Sequence, residues 1–200
     1  MEARLKPMGS PGRLAFRKFR GPIQLLSKAL CLVPAPGLSL LWSAADLLPG
    51  KPGILLRYCI AKRRARVCGD NVLIESNVEI RGWDQLELGD NVSIRRGCYV
   101  EAGGGVKIGD NVSIAHQSSI VTENHTWDDP TTPIKYNPIR LGRVEIQEDV
   151  WIGCGCRVLA GVSVASRSVV AAGAVVTRDV PGHSVVAGIP ARVVKEISPR

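Results

Sequence analysis

Three histidines, His116, His125 and His183, are the only imidazoles in the chain, so the search for a general base is short. Imidazole suits that work because its pKa lies near neutrality, where it can take a proton from a hydroxyl as the oxygen attacks. His116 falls two residues past a regularly recurring aliphatic, Ile114, and is expected on an outward surface. His183 lies in DVPGHSVVAGIP, where a solvated imidazole is expected. His125 opens the stretch VTENHTWDDPTTPIKYNPIRLGRVE, which holds Pro130, Pro133 and Pro138 and breaks an otherwise regular pattern. Long irregular insertions of this kind are functional or disordered, which makes His125 the candidate base. Glu123 and Asp128 stand close enough in sequence to fix its tautomer. The six cysteines (31, 59, 68, 98, 154, 156) offer Cys154-x-Cys156 but no second pair at zinc spacing. A reduced, cytoplasmic chain with no metal site is therefore expected.

The elements that must hold these residues come from a repeat. CGDNVLI (68–74), LGDNVSI (88–94) and IGDNVSI (108–114) recur every 20 residues. Aliphatics then recur in steps of six: Leu88, Ile94, Val100; Ile108, Ile114, Ile120; and, past the interruption, Ile146, Ile152, Val158, Val164, Val170, Val176. Neither a helix nor a simple alternating strand has that period. It fits a coil with three flat faces, one aliphatic per face pointing inward, and Gly-Asp-Asn turning the corners. Small residues four places on, Cys98 and Cys156 among them, are expected to fill the inward corners. Stacked coils of this kind draw stability from their neighbours.

On these residues the body, roughly 67–195, resembles the hexapeptide-repeat acyltransferases. The resemblance implies a mainly β fold, a left-handed parallel β-helix with a helical N-terminal segment and a short C-terminal helix. It divides the chain into 1–66, a β-helix at 67–187 with an inserted loop at 126–143, and a tail at 188–200. Sugar O-acetyltransferases of the maltose and galactoside type carry a histidine at this point as base. They pair it with an element like EDVWIG, whose Trp151 follows His125 by 26 residues. The same resemblance implies Trp151 in the acceptor pocket, with the backbone at Gly153 and Cys154 holding the oxyanion. Two stretches, GAVVTRDVP and AGIPARVVK, are similar to the family's coenzyme A segment. They imply Ala172 along the pantetheine, Thr177 and Arg178 at pantothenate or phosphate, and Arg192 and Lys195 on phosphates. Arg95 and Gly103 stand where the family's acceptor-binding asparagine and aspartate belong, which puts a free maltose- or galactoside-type acceptor in doubt. Sites in the family form between the subunits of a trimer, so a homotrimer is implied, with Trp151 able to serve the neighbouring chain.

The N-terminal third differs in kind. Residues 1–66 hold 13 Leu against 4 Val plus Ile, whereas 67–194 hold 5 against 33. That contrast reads as helix followed by strand. The formal charge of +8 is likewise uneven, with 13 Lys/Arg against 2 Asp/Glu in residues 1–68 and 13 against 16 in the rest. The uncharged run 29–45 contains Pro34, Pro36 and Gly37 and is too broken for a spanning helix. Basic clusters flank it, at Arg13, Arg17, Lys18 and Arg20 and again at Lys62, Arg63, Arg64 and Arg66. Two compatible roles are expected: a cap over the first coil, and contact through 13–66 with an anionic membrane, at its inner face. No aromatic interleaving accompanies the charge, so nucleic acid is not an expected partner.

The expected activity is transfer of acetyl from acetyl-CoA to the hydroxyl of a small-molecule or lipid-linked sugar, in bacterial polysaccharide or glycolipid assembly. N-acetylation of an amino sugar, O-acetylation of serine and a non-catalytic solenoid stay open as alternatives.

Overall fold

The structure, a computed structural model, describes residues 21, 23, 25–27 and 29–198. The basic residues Arg13, Arg17, Lys18 and Arg20 lie outside the described residues. Residues 67–187 wind into six stacked coils bounded by three parallel sheets. Face A carries Val67–Cys68, Leu86–Leu88, Val106–Ile108, Val144–Ile146 and Ser163–Val164. Face B carries Leu73–Ile74, Ser93–Ile94, Ser113–Ile114, Trp151–Ile152, Val169–Val170 and Ser184–Ala187. Face C carries Glu79–Arg81, Tyr99–Glu101, Ser119–Ile120, Arg157–Val158 and Val175–Val176. The six-residue aliphatics point inward as the period requires: Ile74, Ile94, Ile114, Ile152 and Val170 stack on face B with no more than 1% exposure. Cys98 and Cys156 fill inward corners, and burial pushes both thiols up.

Corner chemistry fixes the register. Asn71, Asn91, Asn111 and Asp149 occupy equivalent A/B corners with φ of 56–59°, a left-handed conformation that Asn and Asp tolerate better than most side chains. The Asn71 amide donates to Asn91 Oδ1 at 3.0 Å, and Asn91 donates to Asn111 Oδ1 at 3.2 Å. Ser113 pairs with Trp151, 38 residues on, whereas Trp151 pairs with Val169, 18 residues on. One excursion of about a coil's length therefore leaves the solenoid between coils 3 and 4.

Two helices, α1 (Ala35–Ala45) and α2 (Gly50–Arg64), close the open end of coil 1. Pro34 and Pro49 start them in extended conformation, and Lys62, Arg63 and Arg64 suit the negative end of α2. Inside the stack, the carbonyls of Leu88, Ile94 and Cys98 accept N–H bonds from the preceding coil, from Gly69, Glu75 and Glu79. In coil 1 the equivalent carbonyls have no coil before them, and cap side chains supply the donors. Lys62 Nζ donates to Cys68 O at 2.6 Å, Arg57 Nε to Ile74 O at 2.9 Å, and Trp42 Nε1 to Val78 O at 3.1 Å. Arg57 is 2% exposed and also donates to Ala45 O and Asp46 Oδ1, at 2.7 and 3.3 Å. The cap is thus a hydrogen-bonding substitute for a missing coil as well as an apolar cover.

The far end departs from expectation. The C-terminal stretch is no helix: Arg192–Glu196 forms a strand that turns back antiparallel on Ser184–Ala187. ARVVKE carries helix-compatible Ala, Arg and Lys, but the last coil on face B presents an open edge, and pairing with it wins. The predicted boundary at 187/188 consequently falls inside one paired unit.

Candidate active site

The excursion is built from its neck outward. Thr122, fully buried, donates its N–H to Glu101 Oε2 at 3.0 Å and its hydroxyl to the same oxygen at 2.7 Å. Glu101 Oε1 accepts from Gly103 N–H, and Thr122 Oγ1 accepts from Gly104 N–H at 2.8 Å. Gly142 N–H closes the neck on Thr122 O at 2.8 Å. Burial alone would raise the Glu101 pKa, but the donors from Thr122 and Gly103, with the Arg81 charge, hold it below the usual range.

Beyond the neck the chain is an arm, not an irregular loop. Glu123–His125 pairs antiparallel with Ile139–Leu141, setting His125 opposite Ile139, so the excursion starts three residues before the expected 126. Thr126 extends the pairing, donating N–H and hydroxyl to Pro138 O at 3.1 and 2.7 Å. At the tip, Asp129 accepts from Thr131 N–H, Thr131 Oγ1 and Thr132 Oγ1 at 2.7–2.8 Å, which pulls its pKa down to about 2. Asn137, 4% exposed, ties both sides of the tip, accepting from Asp129 N–H at 3.1 Å and donating to Thr132 O at 2.8 Å. The signal was readable: an aspartate followed by Thr-Thr two residues on is turn chemistry.

His125 is exposed at the base of this arm, beside a cavity of about 340 Å³ lined by Asn124, His125, Trp127, Asp128 and Arg140. Asp128 is paired with Arg140 at 3.4 Å, and none of the described residues hydrogen-bonds the His125 ring. Trp127, Ile134, Tyr136 and Leu141 on the same arm are 57–72% exposed.

The other expected site residues fall into three places. Trp151 stands outward on face B, 55% exposed, and Gly153 and Cys154 follow at the B/C corner. Gly153 N–H is committed to Val170 O at 2.7 Å, and a Cβ there would meet Ala172 N at 2.6 Å, so only glycine fits. Cys154 N–H has no partner among the described residues and is the available donor of the two. Ala172 is exposed one coil further on at the same corner. Thr177 and Arg178 follow face C in coil 5, two coils beyond the arm, about 10 Å at the usual strand spacing. Arg178 and Arg192 line one cleft of about 140 Å³, while Lys195 lies on the returning strand opposite Val185. His125, leaving the C/A corner, and Trp151, on face B, are not brought together within one chain. His116, expected on an outward surface, is exposed at the B/C corner.

With this geometry in hand, the comparisons are specific. Residues 143–178 match the family model for the bacterial transferase hexapeptide (six repeats). Over 61 residues, 30% of this chain, the sequence is 49% identical to the 2,3,4,5-tetrahydropyridine-2,6-dicarboxylate N-acetyltransferase of Staphylococcus aureus (strain JH9). That match spans 26% of the relative, so the chain covers about a quarter of the length of the curated proteins it resembles. A maltose O-acetyltransferase from Clostridium difficile 630 superposes with a TM-score of 0.68 at 23% identity, covering 92% of this chain and 89% of that one. A hexapeptide-repeat-containing acetyltransferase from Vibrio cholerae O1 biovar eltor, complexed with acetyl coenzyme A, gives 0.70 at 24% identity, covering 85% and 92%. The class is therefore a hexapeptide-repeat parallel β-solenoid. Within it the chain resembles acetyltransferases, both O- and N-directed.

Proposed function

We propose that this protein is an acetyl-CoA-dependent O-acetyltransferase acting on a sugar hydroxyl in bacterial polysaccharide or glycolipid assembly. The observation that carries the reading is the long break in the repeat: it builds a two-stranded ribbon that presents His125, beside its own cavity, at the edge of the solenoid. The acceptor oxygen attacks the thioester carbonyl while His125 takes its proton. The oxyanion is met by Cys154 N–H, and collapse expels the coenzyme A thiolate, which recovers the proton from His125. Ala172 and Thr177 border the pantetheine arm, and Arg178, Arg192 and Lys195 meet its phosphates.

The working unit in this reading is a homotrimer. Support comes from the separation of His125 and Trp151 on one chain and from the apolar side chains left exposed on the arm. His125 of one subunit then faces the Trp151–Cys154 corner of the next. The unit works against an anionic membrane surface. Helix α1 bears no charge, and Leu32, Leu40 and Leu47 on and beside it are 73–89% exposed. Arg63 and Arg64 line a cleft of about 760 Å³ with Leu32.

The Staphylococcus aureus relative favours a second reading, transfer to an amine. Incubation with acetyl-CoA and a panel of sugars and amino sugars, followed by mass spectrometry of the product before and after mild alkali, separates them. An O-acetyl ester is alkali-labile and an amide is not. Alkali-stable product alone overturns the O-acetyl reading.

A further inference from the structure

A large cleft lies away from the arm, between the Asp46–Gly50 turn of the helical cap and the B/C corner of coils 1–3. Its volume is about 830 Å³, and Arg57, Glu75, Arg96 and His116 supply its charged and titratable lining together with Asp46. The strand registers show what it is continuous with. Leu73 pairs with Ser93, Ser93 with Ser113, Ser113 with Trp151 and Trp151 with Val169. Three residues on from each, one corner column runs Ser76, Arg96, His116, Cys154, Ala172. The cleft is thus the N-terminal continuation of the corner that holds the Cys154 N–H and Ala172. His116 lies one coil and Arg96 two coils from Cys154, about 5 and 10 Å.

Charge accounting gives the chemistry of what the cleft takes. Asp46 is paired with buried Arg57 at 3.3 Å. Glu75 is paired with Arg95 at 2.7 Å, and its second oxygen accepts Arg96 N–H at 3.0 Å. Both carboxylates in the lining are therefore already matched. The Arg96 guanidinium is exposed and has no ion-pair partner within 4 Å among the described residues. His116 is exposed beside it on the column. What remains without an ion-pair partner is cationic, forked and planar at Arg96, with the ring N–H donor of His116 beside it, a pairing suited to phosphate oxygens. Leu47 and Leu48 form the outer lip, 84% and 42% exposed.

We propose that this cleft is an acceptor subsite that binds a phosphate or pyrophosphate joined to the sugar, with Arg96 and His116 as its recognition residues. The inference rests on the acetyl-transfer reading and adds to it: the acceptor is a glycosyl phosphate, and not a free sugar. A hexose held at Cys154 with a pyrophosphate on its anomeric carbon has the length needed to reach Arg96. A free sugar leaves the cleft and its positive charge unused.

Calorimetric binding tests the subsite without turnover. Two probes carry the same pyrophosphate, UDP-glucose and a short-chain prenyl pyrophosphate-linked glucose, and free glucose is the control. Either pyrophosphate probe is expected to bind the wild type, with Kd raised at least tenfold by Arg96→Ala and less by His116→Asn. Binding of the prenyl form alone assigns the source as a lipid carrier, binding of the nucleotide form alone assigns a soluble nucleotide-linked acceptor, and binding of both supports the subsite for either. Absence of binding by both probes, or an unchanged Kd in Arg96→Ala, overturns the subsite. Because Arg96 is exposed, its substitution leaves the fold intact, and circular dichroism of the variant checks this. Acceptor-dependent release of coenzyme A is measured in parallel. Its absence in the wild type refutes the transferase reading while the binding result still decides the subsite.

Discussion

Glu101 ties the neck of the arm that carries His125, although it touches no reacting atom. Its carboxylate gathers Gly103 N–H, Thr122 N–H and the Thr122 hydroxyl at the neck of the arm, three residues before His125. Because its folded pKa is lowered, the carboxylate contributes stability above the ordinary glutamate range, and that contribution is lost as pH falls through the folded value. Glu101→Gln, which turns an acceptor into a donor facing N–H groups, is expected to lower the melting temperature at pH 7. The gap from wild type should narrow as the pH drops below the usual carboxylate range, and melting curves across pH check this. In the sequence His125 stood out because imidazoles are few and the repeat fails beside it. Glu101 and Thr122 did not, since a glutamate and a threonine ending β faces look like ordinary surface residues until the neck brings them together. Gly153 was legible as part of a motif, but its N–H bond to Val170 is visible only in three dimensions.

At the scale of elements, the period of six was enough to place the faces, the inward aliphatics and the filler cysteines, because each coil repeats the same local solution. Ends are where repetition stops, and there the repeat no longer dictates the structure. The C-terminal helix is a strand because the last coil needs an edge partner. At the other end, a cap was foreseen, but not that Lys62, Arg57 and Trp42 stand in for the backbone donors of an absent coil. Arg57→Met tests that role. It removes the Arg57 donors from the carbonyls of Ile74 and Ala45 and leaves Asp46 with the Asn77 N–H at 2.9 Å but without its ion-pair partner. A loss of roughly 2–5 kcal/mol in urea unfolding is expected; a loss below 1 kcal/mol means the cap is held by apolar packing alone.

For the whole molecule, the overall +8 is an average of a basic end and a mildly acidic solenoid. If the outward leucines of the helical cap meet a membrane, Leu40→Glu combined with Leu47→Glu reduces co-sedimentation with anionic vesicles at least fivefold. Equal sedimentation of the pair argues for a purely structural cap. The proposed trimer makes a sharper forecast. With His125 and Trp151 contributed by neighbouring chains, mixing unfolded His125→Ala and Trp151→Ala subunits and refolding them together restores activity that neither variant has alone. No recovery places both residues in one subunit's site. The central claim, that His125 is the base for acyl transfer from acetyl-CoA, is tested most directly by the initial rate of acceptor-dependent coenzyme A release in wild type and His125→Ala. The account predicts a fall of ~10²–10⁴ in kcat with the KM for acetyl-CoA little changed. A variant that retains turnover within tenfold of the wild type contradicts it.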